Sequence, residues 1–123
     1  DKQEKKTVDI KLAISAYISD DYIHEDRVRL ELYRRLSKAS DIQEVYEIEE
    51  EMEDRFGKPD VPTKQFIELI IIKILALNLG IQSISSYEMA ITFTKANDTK
   101  ETIKSPSKDD DDIIATSLRY LRK

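Results

Sequence analysis

The chain has 123 residues, no cysteine and a formal net charge of −5, and 37% of its residues are charged. A chain of this length forms one domain with a single core, and the lack of cysteine excludes disulfides and thiolate metal sites. The acidic balance disfavours nonspecific binding to nucleic acid, which depends on lysine and arginine. No spanning segment or signal peptide is evident, and we expect a cytoplasmic protein.

The first residue is Asp1 rather than methionine, so we expect the chain to be part of a larger protein. Residues 1–6 are all polar and are predicted to be a disordered tail or linker. Residues 7–123 are predicted to form a single domain. Apolar and polar residues alternate over residues 8–13, which predicts a half-buried strand.

Two helices of opposite charge follow. Residues 26–39 have apolar residues at helical spacing among several arginines, whereas residues 41–56 are amphipathic and strongly acidic. Ser40 and Gln43 have the spacing of a capping box, which marks the start of the second helix. A basic helix joined by a short loop to an acidic helix predicts an antiparallel helical hairpin.

Residues 66–79 are the most apolar stretch of the chain, and Glu68, Lys73 and Asn78 are the only polar residues among them. These three are spread around the helix axis, so the predicted helix has no polar face and should be buried. The run is too short and too charged to span a membrane. Pro62 suits the first turn of this helix, and Gly80 suits its end.

The rest of the chain predicts a small sheet and a final helix. Residues 81–84 and 87–93 are predicted strands with a turn at Ser85 and Ser86, and residues 101–104 are a predicted edge strand. A C-terminal helix is predicted after Ser107. The fold class is therefore α+β, with a small antiparallel sheet packed with a helical hairpin, a buried central helix and a C-terminal helix.

The sequence carries no recognisable catalytic or metal-binding pattern. It has no glycine-rich phosphate loop, no nucleophile with a partner histidine and no metal-ligand spacing. We therefore expect no cofactor, no metal and no enzymatic activity in this chain.

The segment from Tyr22 to Ile81 carries an ordered set of short motifs: Tyr22-Ile23, Arg29-Leu30, Leu32-Tyr33-Arg34-Arg35-Leu36, Glu51-Met52-Glu53-Asp54-Arg55-Phe56-Gly57 and Leu79-Gly80-Ile81. In this order they resemble the C-terminal domain of the bacterial transcription-repair coupling factor. The family usually has a proline three residues after the glycine at position 57, where this chain has Asp60. The resemblance implies a role inside an ATP-driven DNA translocase that displaces stalled RNA polymerase and recruits nucleotide excision repair.

By the same resemblance the domain is regulatory and autoinhibitory. It is expected to pack on the UvrB-like N-terminal region of its own protein and to mask the surface that binds UvrA, so that UvrA and RNA polymerase are indirect partners. Neither direct nucleic-acid binding nor a membrane is expected.

Glu51, Asp54 and Arg55 are the predicted partner-binding residues. They stand at i, i+3 and i+4 on a helix and so share one face near the Gly57 terminator. Arginine is a planar donor of several hydrogen bonds, which suits an interface. A local ion-pair cluster that stabilises the hairpin explains the same three residues equally well.

An alternative function is a small DNA-binding or helical adaptor module that uses the basic helix 26–39. The acidic neighbour and the absence of an aromatic stacking platform disfavour DNA binding, and the salt dependence of binding distinguishes the two hypotheses.

Overall fold

The computed structural model describes residues 7–123, and the predicted tail at residues 1–6 lies outside the described residues. The chain contains two compact units. A helical unit comprises residues 15–74, and a sheet unit comprises residues 7–14 and 75–123. No helix within the described residues is long and apolar enough to cross a membrane.

The helical unit begins with helices α1 (Asp26–Lys38) and α2 (Ile42–Phe56), joined by residues 39–41. Asp41 is the N-cap of α2, and its carboxylate accepts a hydrogen bond from the Glu44 amide at 2.8 Å. The Glu44 side chain in turn accepts from the Ser40 amide at 3.1 Å. The predicted capping box of Ser40 and Gln43 is wrong by one residue, since Asp41 caps the helix and Glu44 accepts from the residue before the cap.

Helix α3 (Val61–Asn78) starts in the helical unit, and its last turn belongs to the sheet unit. Its apolar residues are buried on several sides, including Ile67 and Ile72 with no exposed surface and Ile71 with 5%. The prediction of a buried central helix is confirmed. The helix begins at Val61, so Pro62 lies in its first turn as predicted, and Gly80 follows the helix with a φ of 75°.

The start of α3 is attached to the chain that precedes α1. The amide of Ser19 donates to the hydroxyl of Thr63 at 3.0 Å, and the amide of Ile18 donates to the hydroxyl of Tyr33 at 2.7 Å. The Tyr33 ring meets the Phe66 ring edge to face, with centroids 5.0 Å apart. Buried backbone groups outside regular structure need such partners, so these contacts explain how residues 15–25 enter the helical unit without being strand or helix.

The sheet unit contains strands β1 (Asp9–Lys11), β2 (Ile81–Tyr87), β3 (Ala90–Lys95) and β4 (Lys100–Lys104), in the order β1-β2-β3-β4. Helix α4 (Asp110–Leu121) follows. The Phe93 ring stacks on the Tyr120 ring of α4, with centroids 4.1 Å apart. The inward residues Ile84, Ile91 and Phe93 have no exposed surface, so α4 and the sheet share one apolar core.

The α+β class is confirmed, with two differences in the sheet. Strand β1 pairs with β2 in parallel, so the prediction of a wholly antiparallel sheet is wrong at β1. Three helices lie between β1 and β2, and a connection of that length can return the chain in the same direction. The turn between β2 and β3 is at Glu88 and Met89 rather than at Ser85 and Ser86, and Glu88 has a φ of 56°.

Candidate functional site

The predicted site occupies the last two turns of α2. The helix ends at Gly57, whose φ of 85° is a conformation that favours glycine, and whose amide donates to the Glu53 carbonyl at 2.9 Å. Arg55 in the last turn complements the negative end of the helix dipole. The sequence therefore places charged side chains at an abrupt helix end, next to an exposed loop.

Glu51 forms hydrogen bonds with another residue of the helical unit. Its two carboxylate oxygens accept from both terminal nitrogens of Arg35 on α1, at 2.8 and 2.9 Å. These hydrogen bonds hold the pKa of Glu51 below its usual value and raise the pKa of Arg35. The Arg55 guanidinium lies 3.9 Å from the same carboxylate. Glu51 thus joins the two helices of the hairpin, as the ion-pair alternative predicts.

Asp54 and Arg55 are differently placed. Within residues 7–123, Asp54 is exposed and its side chain makes no hydrogen bond or ion pair. The Arg55 side chain is 50% exposed, and its guanidinium carbon lies 4.9 Å from the centre of the Phe56 ring. The structure therefore brings Glu51 and Arg55 together but does not bring Asp54 into their cluster.

Tyr22 fixes the loop beside these residues. Its ring meets the Phe56 ring edge to face, with centroids 6.0 Å apart, and its hydroxyl donates to the Gly57 carbonyl at 2.5 Å. Burial and the nearby carboxylates of Glu53 and Asp60 raise the pKa of Tyr22 to about 12. The hydroxyl is therefore a hydrogen-bond donor at neutral pH, and it holds the end of α2 in one position.

A groove of about 430 Å³ lies between α1 and α2, next to the Arg35–Glu51 pair. Ile48 lies at its apolar base, and its other lining side chains carry both charges: Arg35, Lys38, Glu44, Glu47 and Glu51. Such a surface can exchange ion pairs with another protein. Across the described part of the chain, no cluster of three or more histidine, aspartate and glutamate side chains is placed to hold a metal ion.

The sequence analysis did not single out two residues of this region, Arg35 and Glu49. Arg35 was one of several arginines of a basic helix, and only its spacing relative to Glu51 across the hairpin would have singled it out. Glu49 was one of many carboxylates, yet it is buried, and it accepts from the Lys64 ammonium at 2.7 Å. That contact raises the pKa of Lys64 and joins α2 to α3.

The sequence profile of the TRCF domain matches residues 12–105, which is more than half of the chain. The chain belongs to the TRCF domain family. The resemblance predicted from the motifs between Tyr22 and Ile81 is therefore confirmed, and the match extends beyond them in both directions. Asp54 and Arg55 of this TRCF domain lie inside the matched range.

Relatives of this TRCF domain are named transcription-repair-coupling factor. One from Helicobacter pylori strain J99 is 47% identical over 120 residues, and the match covers 98% of this chain and 12% of the relative. One from Mycobacterium bovis is 35% identical over 88 residues, covering 72% of this chain and 7% of the relative. The TRCF domain thus spans about an eighth of the length of its Helicobacter relative.

The fold of this TRCF domain is also found in a solved structure. A crystal structure of the C-terminal domain of transcription-repair coupling factor superposes with a TM-score of 0.78, covering 97% of this chain and 96% of the other. The two sequences are 19% identical. The shared fold therefore includes both the helical hairpin and the mixed sheet.

Proposed function

We propose that this TRCF domain is a regulatory, autoinhibitory protein-binding domain of a transcription-repair coupling factor. In this proposal the whole protein is a cytoplasmic, ATP-driven DNA translocase that displaces stalled RNA polymerase and recruits nucleotide excision repair. The domain itself carries no catalytic chemistry. It docks on the UvrB-like region of the same protein and masks the surface that UvrA binds, and its release exposes that surface.

The proposal is supported by the different contacts that Glu51 makes compared with Asp54 and Arg55. Glu51 is satisfied by Arg35, whereas Asp54 is exposed and has no partner within residues 7–123. Arg55 is half-exposed and rests on Phe56, so its donors can be reached from outside. We therefore assign the docking contact to Asp54 and Arg55, and Glu51 acts through Arg35 by positioning the end of α2.

The fixed loop supports this assignment. Tyr22 holds the Gly57 carbonyl, so Asp54 and Arg55 are presented from a rigid helix end rather than from a mobile segment. A rigid surface binds with a smaller loss of conformational entropy. A partner that offers an arginine or lysine to Asp54 and a carboxylate to Arg55 would form two charge-assisted contacts at one point.

The test is made in the full-length protein with the double variant Asp54→Ala/Arg55→Ala. Loss of one member of a desolvated charge pair weakens an interface by roughly 2–5 kcal/mol. Docking competes with UvrA, so we expect affinity for UvrA to rise at least about 30-fold. The control variant Asp20→Ala/Arg119→Ala removes one exposed aspartate and one exposed arginine elsewhere, and should leave UvrA affinity unchanged.

Two further measurements complete the test. Circular dichroism must give the same helix content for the variant and the parent protein, because a global loss of structure would also expose UvrA-binding surface. Binding of the isolated domain to the UvrB-like region, measured by calorimetry, must weaken in the same variant. Unchanged UvrA affinity with an intact fold would reject Asp54 and Arg55 as the docking contact.

The alternative of a DNA-binding module on the basic helix is weakened by the pairing of its arginines. Arg35 is bound to Glu51, and Arg29 is bound to Asp26 and to the Ile23 carbonyl. Tight binding of the domain to duplex DNA, with a steep loss of affinity on addition of salt, would favour that alternative.

A further inference from the structure

Strand β4 forms one edge of the sheet, and no strand within residues 7–123 pairs with its outer side. Its backbone amides and carbonyls on that side are therefore available to another strand. Alternate residues of a strand share a face, so Lys100, Thr102 and Lys104 point to one side of the sheet. All three are exposed, and Thr102 lies beside Thr92 with their hydroxyls 2.9 Å apart.

The opposite face of the same strand is turned toward α4. Glu101 accepts a hydrogen bond from the Tyr120 hydroxyl of α4 at 2.5 Å, and its register partner Phe93 is fully buried. This contact holds β4 in the sheet from one side. The lysine face and the outer edge remain open on the same strand.

A hollow of about 410 Å³ lies at the end of the sheet, and its lining is largely apolar atoms from Tyr87, Met89, Ala90 and Ile103. Tyr87 belongs to β2 and Ala90 to β3, so the hollow lies over the inner strands and not beyond the outer side of β4. The features of the open edge itself are therefore its unpaired backbone groups and the two lysines on one face.

We propose that the edge of β4 binds an extended, acidic segment of a partner protein by strand addition. In this arrangement the partner's backbone pairs with β4, and two of its carboxylates lie opposite Lys100 and Lys104. Backbone pairing supplies affinity in such complexes, and the side chains supply specificity.

The positions of the lysines argue against a second copy of this chain as the partner. If two β4 strands paired antiparallel about Thr102, Lys100 of one copy would lie opposite Lys104 of the other. Like charges directly opposite each other destabilise a strand pair, whereas opposite charges stabilise it. The lysines therefore disfavour self-pairing in this register and favour an acidic strand.

Single-stranded nucleic acid is the other anionic partner to consider. Such binding uses several stacking aromatic rings along a basic groove. This face offers one exposed ring, Tyr87, and the chain as a whole carries a net charge of −5. The open strand edge fits a peptide backbone better than a sugar–phosphate backbone.

The test uses the 123-residue chain and three probes. The first is a nine-residue peptide of threonine and valine with glutamate at its third and seventh positions, so that either strand direction places both glutamates opposite the lysines. The second has lysine in place of both glutamates, and the third is a 12-nucleotide oligo-dT. Amide chemical shifts and hydrogen exchange are followed by NMR during each titration.

We expect the acidic peptide to shift the amides of residues 100–104 and to slow their exchange. The variant Lys100→Glu/Lys104→Glu should bind this peptide at least about tenfold more weakly, because two favourable cross-strand pairs become repulsive. The matched variant Lys38→Glu/Lys58→Glu has the same charge change at exposed positions outside the sheet, and should bind normally.

Three results would overturn the proposal. The first is that the amide chemical shifts of residues 100–104 do not change at millimolar acidic peptide. The second is that the lysine peptide binds as tightly as the acidic peptide. The third is that oligo-dT binds and the acidic peptide does not. Since every residue involved lies in the sheet unit, failure here leaves the proposed docking by Asp54 and Arg55 unaffected.

Discussion

The contact between Arg35 and Glu51 should contribute measurably to stability although both side chains are partly exposed. The pair is bidentate, at 2.8 and 2.9 Å, and its side chains are 37% and 42% exposed. Exposed pairs typically contribute 0.2–1 kcal/mol, and bidentate geometry favours the upper end of that range. We expect a coupling energy of about 1 kcal/mol.

The assay is a double-mutant cycle of Arg35→Ala and Glu51→Ala, with the free energy of unfolding measured in urea. Arg55 lies 3.9 Å from the same carboxylate, so it can partly replace Arg35. The Arg35→Ala variant should therefore lose less stability than Glu51→Ala.

Salt and pH provide two independent checks. At 1 M salt the Debye length is about 3 Å, so the coupling should decrease. The folded state holds the pKa of Glu51 below its usual 4.5, so the stabilisation is present above that pH and is lost as pH falls through the folded pKa. The coupling should therefore disappear in strong acid.

The control is the same cycle on Arg34 and Glu50, exposed residues one position away on each helix. Their coupling should be indistinguishable from zero. A coupling below about 0.2 kcal/mol for Arg35 and Glu51 at low salt would refute the assignment of Glu51 to the hairpin, since that is the lower limit for exposed pairs that contribute to stability.

Three further outcomes are expected. The pKa of Tyr22 is raised from 10.0 to about 12 in the folded protein, so its contribution to stability is present below pH 10 and is lost as the pH rises toward 12. The Tyr22→Phe variant should lack this pH dependence in unfolding curves measured in alkali. Ile71 is 5% exposed, and its replacement by alanine should lower the free energy of unfolding in urea by roughly 2–5 kcal/mol. Leu79 is 53% exposed, and the same change there should cost less than about 1 kcal/mol. Equal losses would contradict the burial of α3. In the Gly57→Ala variant the added methyl group meets no atom within 4 Å, but the residue must adopt a φ of 85°. A loss of about 1–2 kcal/mol of stability is therefore expected by thermal unfolding.

The helices were predictable because their signals are local. The three helices of the first 80 residues were predicted to within a few positions from apolar residues at helical spacing and from Gly57 and Gly80. The sheet was less predictable because its signals are not local. Nothing near residues 8–13 indicates that the partner of Asp9 is Ser83, and strand direction follows from that pairing.

The turn between β2 and β3 shows a second limit. Two-residue hairpin loops usually carry glycine, asparagine or aspartate, so Glu88 and Met89 gave no signal, whereas Ser85 and Ser86 did. At the candidate site the helical face shared by Glu51 and Arg55 was predictable from spacing. The partner of Glu51 was not, since it depends on how α1 and α2 pack and not on the sequence of either helix.

The parallel pairing of β1 with β2 determines when the sheet can be completed during synthesis. The Ala13 amide donates to the Ser86 hydroxyl, 73 residues further along the chain, and all of residues 15–74 lie between them. The helical unit can therefore fold from contiguous sequence as it leaves the ribosome. Strand β1 cannot pair until β2 has been synthesised. Because closing so long a loop is slow, docking of β1 should be the last step of folding, and its removal should spare the helical unit.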